Sequence, residues 1–389
     1  LNRKKILFIA RWYPDKNDNM LGLFVQKHAR AVDLLNDVTV IYVTADTTLQ
    51  SGTSQIIEEN HLGIHEIRIY FGKKKSEMGN AIQYLKWYRH AVKLAYQHAI
   101  RFDLVHVHIL SRTAIPAMWL KFTKHIPYII TEHWSRYLPV NLPKGSYGGR
   151  LRRLFTKMAV KYSSGVTTVT KNLAEAMQNL RLRNEYYITP NIADIHDFYP
   201  AEKSSASSIK KLIHVSCFDE PAKNIKGIIN VVKKLSEERS DFTMEIIGDG
   251  KDYNMIREYA QMSGLDTLKL SFTGLLTGSE LSDKMRNADA FVMFSNYENF
   301  PCTIVESLAC GVPVISTNVG GIAEHVTADF GTLMSPGDEE GLKKAILFAL
   351  DHPENFNKTK MRDYAINNFS LEESSKLFDA IYRKVMQAT

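Results

Sequence analysis

The sequence is poor in cysteine. Three occur in 389 residues, Cys217, Cys302 and Cys310, with no Cys-x-x-Cys pair and no histidines at ligand spacing. That excludes a disulfide framework and a structural zinc site, and it fits a reducing compartment. Long apolar runs are missing as well. None reaches the ~18 residues that a membrane-spanning helix needs. Arg3, Lys4 and Lys5 precede an apolar run, but it stops at Arg11. It is too short for a secretory signal peptide, so a cytoplasmic protein is expected. No Asp-x-Asp occurs, a pair that commonly holds a divalent cation on a diphosphate; no metal site is expected. No Gly-x-Gly-x-x-Gly follows a strand-like run. Gly248-Asp-Gly250 lacks the third glycine, which removes a nicotinamide-dependent dehydrogenase. No repeat with a period of roughly 20–50 residues is present, so a solenoid is excluded.

What is present is ordinary globular composition, 44% hydrophobic and 23% charged. At ~100–200 residues per domain the length suggests two domains. The net charge of +7 is unevenly spread. Residues 1–190 hold 28 Lys+Arg against 13 Asp+Glu, a balance of +15; the rest hold 21 against 29, a balance of −8. Such a split suggests that the first half faces something anionic, a membrane surface or a phosphorylated substrate. A solvated basic face is the plainer alternative.

Short β-branched runs alternate with helical patterns throughout. Ile6–Ala10, Val38–Thr44, Leu104–Ile109 and Tyr128–Thr131 read as strands in the first half. Leu212–Ser216, Met244–Gly248, Ala290–Ser295 and Val312–Thr317 do so in the second. Their unbroken apolar character is that of parallel strands buried on both faces. The fold class is therefore α/β, with two doubly wound, Rossmann-like sheets. The expected divisions are 1–192, 193–365 and a C-terminal helix over 366–389. Serine-rich Ala201–Lys211 reads as a linker and entry loop. A helix over Asn80–Arg101 places Ile82, Leu85, Tyr88, Val92, Ala95 and Ala99 on one face, with basic residues mostly opposite. With Lys73, Lys74 and Lys75 before it, it is a candidate membrane-surface element, or simply a domain helix with a solvated side. A second basic segment, Lys144–Lys161, carries Arg150, Arg152, Arg153 and Lys157.

The richest segment is Ser295–Glu324, SNYENFPCTIVESLACGVPVISTNVGGIAE. A strand ends near Ser295, and the loop Asn299-Phe300-Pro301-Cys302 then enters a helix. Thr303-Ile-Val-Glu306 has the form of a capping box, which gives Glu306 a purely structural reading. The helix N-terminus is also an anion cradle. Two carboxylates, Glu298 and Glu306, can accept hydrogen bonds from the hydroxyls of a polar ligand held there.

Glu298-x7-Glu306, with Ser-Leu-Ala-Cys-Gly-Val-Pro-Val-Ile and Val319-Gly-Gly-Ile-Ala-Glu324 after it, resembles the signature of the retaining GT-B glycosyltransferases of family 4. Ile246-Ile-Gly-Asp-Gly250, Phe272-Thr-Gly274, Gly331–Asp338 and Thr189-Pro-Asn191 resemble other parts of that family. The resemblance covers nearly the whole chain and is strongest over residues 190–340. It implies two facing Rossmann-like domains with a cleft between them, the first for the acceptor and the second for the nucleotide sugar. The C-terminal helix would cross back onto the first. It implies transfer of a hexosyl-type sugar from a nucleotide diphosphate sugar to a glycolipid or polysaccharide intermediate, as in cell-surface polysaccharide or lipopolysaccharide synthesis. Anomeric configuration would be retained. The nucleotide sugar is a co-substrate; no cofactor and no nucleic acid are implied.

Carried over by motif, Glu298 would lie by the donor sugar and Glu306 would hold the ribose hydroxyls. Backbone N–H groups of Asn299, Phe300, Cys302 and Thr303, around Pro301, would meet sugar or diphosphate. Backbone near Leu275 would meet the base. Gly22 matches a diphosphate-binding turn, although the family usually has two glycines there. His133, in Thr131-Glu-His-Trp134, matches a histidine beside the transferred sugar. In Asp103-Leu-Val-His-Val-His108, His106 is expected to be buried and His108 is the weaker site candidate. Lys223 fits the family's phosphate-binding lysine, with Lys226 as rival, and Cys217 stands where an arginine is usual. The transferase would contact the inner face of the cytoplasmic membrane peripherally. A nucleotide-sugar epimerase on the same fold, or a non-catalytic nucleotide-sugar binder, are the alternatives.

Overall fold

The computed structural model describes residues 3–202 and 208–387. The chain forms two compact units, Leu1–Pro190 with Leu371–Thr389, and Asn191–Ser370. The divisions thus fall at 190/191 and 370/371, where the sequence reading placed 192/193 and 365/366. Of the serine-rich linker, residues 203–207 lie outside the described residues.

The first unit runs β1 (Lys5–Ala10), α1 (Leu23–Asp33), β2 (Asp37–Asp46), β3 (Ser54–His61), β4 (Ile64–Gly72), α2 (Glu77–His98), β5 (Leu104–His108) and α3 (Ala114–Lys124). It continues through β6 (Tyr128–Glu132), α4 (Arg150–Tyr162), β7 (Gly165–Thr168), α5 (Lys171–Asn179) and β8 (Tyr186–Ile188). Its sheet has the order β3-β4-β2-β1-β5-β6-β7-β8. Every pairing is parallel except β3 with β4. Ile6–Ala10 of β1 are fully buried between β2 and β5. Burial on both faces is why that run is unbroken.

The antiparallel edge strand β3 was not expected. It is mostly exposed, so it has no apolar run to betray it. Leu62 (φ 52°) and Gly63 (φ 86°) join it to β4, the two left-handed residues that a tight hairpin needs.

Helix α2 starts at Glu77, and the Ser76 hydroxyl caps it by accepting from the Gly79 N–H at 3.0 Å. Its buried face carries Tyr84, Tyr88, Ala91, Val92 and Ala95. Ile82 and Leu85, expected on that face, are 59% and 43% exposed. At about 100° per residue Ile82 points roughly 160° away from Tyr84, so a stripe centred on Tyr84 leaves it in water.

The second unit runs β9 (Lys210–Val215), α6 (Glu220–Lys223), α7 (Ile225–Glu238), β10 (Phe242–Ile247), α8 (Tyr253–Met262), β11 (Leu270–Gly274) and α9 (Gly278–Arg286). Then come β12 (Ala290–Met293), α10 (Cys302–Ala309), β13 (Val314–Thr317), β14 (Gly331–Met334), α11 (Glu339–Asp351) and α12 (Lys358–Phe369). Its sheet, β11-β10-β9-β12-β13-β14, is parallel throughout.

Ser370 is extended and ends α12, and α13 (Leu371–Gln387) belongs to the first unit. Phe378, Ile381, Tyr382 and Val385 join the core that holds Phe8, Val25 and Ala29. Their i, i+3, i+4, i+7 spacing puts them on one helix face. Asp379 pairs with Lys4 at 2.6 Å.

Candidate active site

In the second unit the chain turns opposite ways from β9, to β10 on one side and β12 on the other. Ligands of open α/β sheets bind outside the carboxyl ends of the strands at such a switch point. Two segments leave the sheet there. Asn296 ties them together: its N–H donates to Ala222 O at 2.8 Å and its amide side chain to Pro221 O at 3.2 Å. Asn224, left-handed at φ 49°, then breaks α6 from α7. Lys223, the last residue of α6, donates from Nζ to Glu298 Oε1 at 2.5 Å. The Ser295 hydroxyl donates to the same oxygen at 2.9 Å. The lysine and glutamate side chains are only 13% and 11% exposed. Burial alone would pull the Lys223 ammonium down, but Glu298, with Cys217 and Asp219, outweighs it and holds its pKa above the ordinary lysine value. Lys226 is occupied elsewhere, its ammonium 4.9 Å from the centre of the Tyr259 ring. Cys217 is an exposed free thiol.

The loop after Glu298 is held by backbone that only glycine allows. Gly320 has φ +59°, and a Cβ there would lie 2.3 Å from Glu298 O and 2.7 Å from Asn299 O. Gly321 N–H donates to Asn299 O at 2.9 Å. Asn191, from Thr189-Pro-Asn191, donates its side-chain amide to Phe300 O at 2.6 Å. The Phe300 ring is core, 4.4 Å from the ring of His325 and 5.7 Å from that of Phe369. Pro301 is the N-cap of α10, which has no side-chain cap. Thr303 is therefore already helical, and Thr303–Glu306 is not a capping box. The sequence reading placed the helix start later than it is: proline pre-sets the helical entry at Pro301, and Cys302 opens the first turn. Glu306 is buried, and the positive end of the helix dipole lies at Pro301 and Cys302.

On the other side of β9, Gly248 and Gly250 let their loop pack on Ser216 and Phe218; a Cβ at Gly248 would lie 1.9 Å from Ser216 O. Gly248 N–H donates to Gly274 O at 2.9 Å. Leu275, next along, is half-exposed at the same edge of the sheet. Nine of the eleven expected site residues thus line one end of this sheet, Lys223 and Glu298 in direct contact.

The other two, Gly22 and His133, belong to the first unit, where β1 between β2 and β5 is the switch point. Gly22 is the N-cap of α1 at φ 67°, and a Cβ would lie 2.3 Å from Trp12 C. His133 follows β6. Glu132, fully buried and missed by the sequence reading, fixes it. One carboxylate oxygen accepts from the N–H groups of His133 and Trp134, both at 3.0 Å; the other accepts from Leu110 N–H at 3.1 Å. Burial raises the Glu132 pKa, opposed by Arg136 at 3.7 Å. Thr-Glu-His at a strand end was the available signal.

The His133 ring lies 5.1 Å from that of His28 and 5.9 Å from that of His108. Ring nitrogens of all three fall within 4.8 Å of one another, a geometry that could hold a metal ion. They come from separate elements, so ligand spacing in the sequence could not reveal them. Burial keeps His28 and His108 short of protonation: it lowers the His28 pKa to about 4 and that of His108 well below the ordinary value. His106 is buried, as expected, and bonds Tyr382 OH at 2.7 Å.

Residues 26–197 match the family model Glycosyltransferase Family 4, and residues 197–368 match Glycosyl transferases group 1. The chain belongs to this glycosyltransferase family. An uncharacterized glycosyltransferase of Methanocaldococcus jannaschii is 28% identical over 65% of the chain. The match spans 66% of that relative's own length, just under two thirds. A candidate teichuronic acid biosynthesis glycosyltransferase of Bacillus subtilis is 23% identical over 88% of both chains. Among solved structures, the Anabaena protein HepE, in complex with UDP and glucose, superposes with a TM-score of 0.74 at 16% identity, covering 98% of this chain and all of that one. The fold of the chain is GT-B. Among the described residues, no helix is long and apolar enough to cross a membrane.

Proposed function

We propose that this glycosyltransferase moves a hexosyl unit from a nucleotide diphosphate sugar to a glycolipid or polysaccharide intermediate, retaining anomeric configuration and using no metal ion. The Lys223–Glu298 pair at the switch point carries the reading. When the glycosidic C–O bond to the diphosphate breaks, its electron pair goes to a phosphate oxygen, and that charge must be met by a preorganised cation. An ammonium has three N–H donors and Glu298 takes one. Glu298 is thereby held as an acceptor for sugar hydroxyls, and Glu306 is assigned the ribose hydroxyls. With no second carboxylate assigned as nucleophile, retention follows from attack on the same face, the departing phosphate taking the acceptor's proton. In this reading His133 is assigned to the transferred sugar and Gly22 to the diphosphate, both by the family resemblance. The teichuronic acid relative and the UDP and glucose held by HepE support the polysaccharide and nucleotide-sugar parts of this reading.

Transfer from nucleotide sugars, assayed with Glu298→Ala and Lys223→Ala, tests it. Each variant is expected to lose about 10²–10³ in turnover; wild-type rates in both would remove the pair from the site. Cys217 in place of the usual arginine favours a second reading, a binder without turnover. That reading gives nucleotide binding by calorimetry and no product with any acceptor. Change of the donor sugar without acceptor would mean an epimerase. The reading includes a cytoplasmic location and peripheral contact of the basic first unit with anionic membrane. Liposome co-sedimentation checks that contact; equal binding to neutral and anionic vesicles would dismiss it.

A further inference from the structure

Three helices of the first unit, α2, α3 and α4, pack side by side and leave apolar side chains in water. Ile82 and Leu85 stand out on α2, Trp119 and Phe122 on α3, Leu151 and Leu154 on α4. Leu151 is 84% exposed. Each pair is spaced by three residues, so each helix turns one apolar stripe outward. Scattered apolar residues on a surface need no explanation, but adjoining stripes on three packed helices do.

Between these helices lies a pocket of about 350 Å³ lined by Arg11, Arg112, Arg136 and Arg152. No carboxylate lines it. Leu85, Ile115 and Phe155 form its apolar part. Arg136 is buried and answered from behind by Glu132 at 3.7 Å. The Arg112 guanidinium carbon lies 3.5 Å from the centre of the Tyr84 ring, a cation–π contact. Among the described residues, no carboxylate is within ion-pairing distance of Arg11, Arg112 or Arg152; the field of Glu77 reaches Arg112 only weakly. Burial and the Arg11 charge hold Arg112 below its ordinary pKa, and burial and the Arg136 charge do the same to Arg152. With Arg136 answered by Glu132, the guanidinium groups of Arg11, Arg112 and Arg152 still repel one another unless an anion joins them, and their planar forks suit phosphate oxygens. The missing carboxylates argue against a nucleoside, whose ribose hydroxyls need acceptors. The apolar wall and the stripes beyond it call for a hydrocarbon chain on the anion.

We propose that this pocket receives the phosphate or diphosphate group of a single-chain membrane lipid, with the stripes of α2, α3 and α4 resting in the hydrocarbon boundary. In the transferase reading this lipid is the carrier of the acceptor; the binding itself stands without that reading.

Calorimetry on the full chain tests it with farnesyl diphosphate, inorganic pyrophosphate and farnesol. Farnesyl diphosphate is expected to bind more tightly than pyrophosphate, and farnesol not at all. Arg112→Gln with Arg152→Gln should weaken farnesyl diphosphate binding about tenfold or more, since each lost charge-assisted hydrogen bond is worth at least ~1.4 kcal/mol. The melting temperature and UDP binding should not move. If that variant does not fold, Leu85→Gln with Ile115→Gln replaces it, and must weaken farnesyl diphosphate while sparing pyrophosphate. Equal affinity for pyrophosphate and farnesyl diphosphate would make this a free-phosphate site and overturn the proposal. So would displacement by excess UDP, or an affinity that the substitutions leave unchanged. Absence of binding by UDP, ADP and GDP alike, with farnesyl diphosphate binding intact, would fail the transferase reading alone.

Discussion

Replacing Lys223 with methionine removes an ammonium while keeping most of its stem, and it strands Glu298. At 2.5 Å and an effective dielectric of about 20, the gross attraction is about 7 kcal/mol. Desolvation of two ions offsets much of it, yet losing one partner of a buried pair costs about 3–5 kcal/mol. Both side chains keep roughly a tenth of their exposure (13% and 11%) and Ser295 still serves Glu298, so the lower end, about 3 kcal/mol, applies. The second unit spans Asn191–Ser370, 180 residues. For that size 1 kcal/mol moves the melting temperature by about 2–4 °C, so Lys223→Met should lower it by about 6–12 °C. Lys223→Met with Glu298→Gln removes both charges and should cost only about 1 kcal/mol, because no ion is left unpaired. Scanning calorimetry of the single and double variants gives the comparison. A single variant no less stable than the double would refute the argument that Glu298 depends on Lys223. The catalytic loss, about 10²–10³ from removing one donor at the leaving group, should appear in both.

Gly320→Ala would place a Cβ 2.3 Å from Glu298 O at φ +59°; the Glu298 loop must shift, and turnover should fall at least about tenfold while α10 stays folded. Circular dichroism with a transfer assay checks it, and wild-type turnover would contradict it. Glu132→Ala leaves the N–H groups of Leu110, His133 and Trp134 without their acceptor. At about 1–3 kcal/mol for each buried unsatisfied group, unfolding of the first unit should shift by several kcal/mol; a shift under about 1 kcal/mol would be decisive against it. For His28 the folded pKa, about 4, lies below the ordinary 6.5. The unfolded chain therefore binds more protons between those values. Its contribution is complete above pH 6.5 and is lost as pH falls to 4, about 3 kcal/mol in all. His28→Gln should flatten the acid limb of melting temperature against pH, and parallel curves would show that His28 does not titrate in this way.

The sequence alone determined the α/β class, the division into two doubly wound sheets and the motif from Glu298 to Glu306. Runs such as Ile6–Ala10 are unbroken because both faces are buried, and that is written in residue type. The glycines of Val319-Gly320-Gly321 were visible as a motif, but not as the contact that holds Glu298. Edge strand β3 stayed hidden, since a strand in water needs no apolar pattern. Ile82 and Leu85 were assigned to the wrong side of α2 because a face drawn from hydrophobicity cannot tell core from exposed stripe. Only tertiary structure brought Lys223 to Glu298 across 75 positions. It also gathered His28, His108 and His133 from three elements and set Glu132 beneath His133. The four arginines of Arg11, Arg112, Arg136 and Arg152 were likewise scattered in the chain. What they share is decided by where strands end and helices pack, which side-chain chemistry fixes only once the sheet has been assembled.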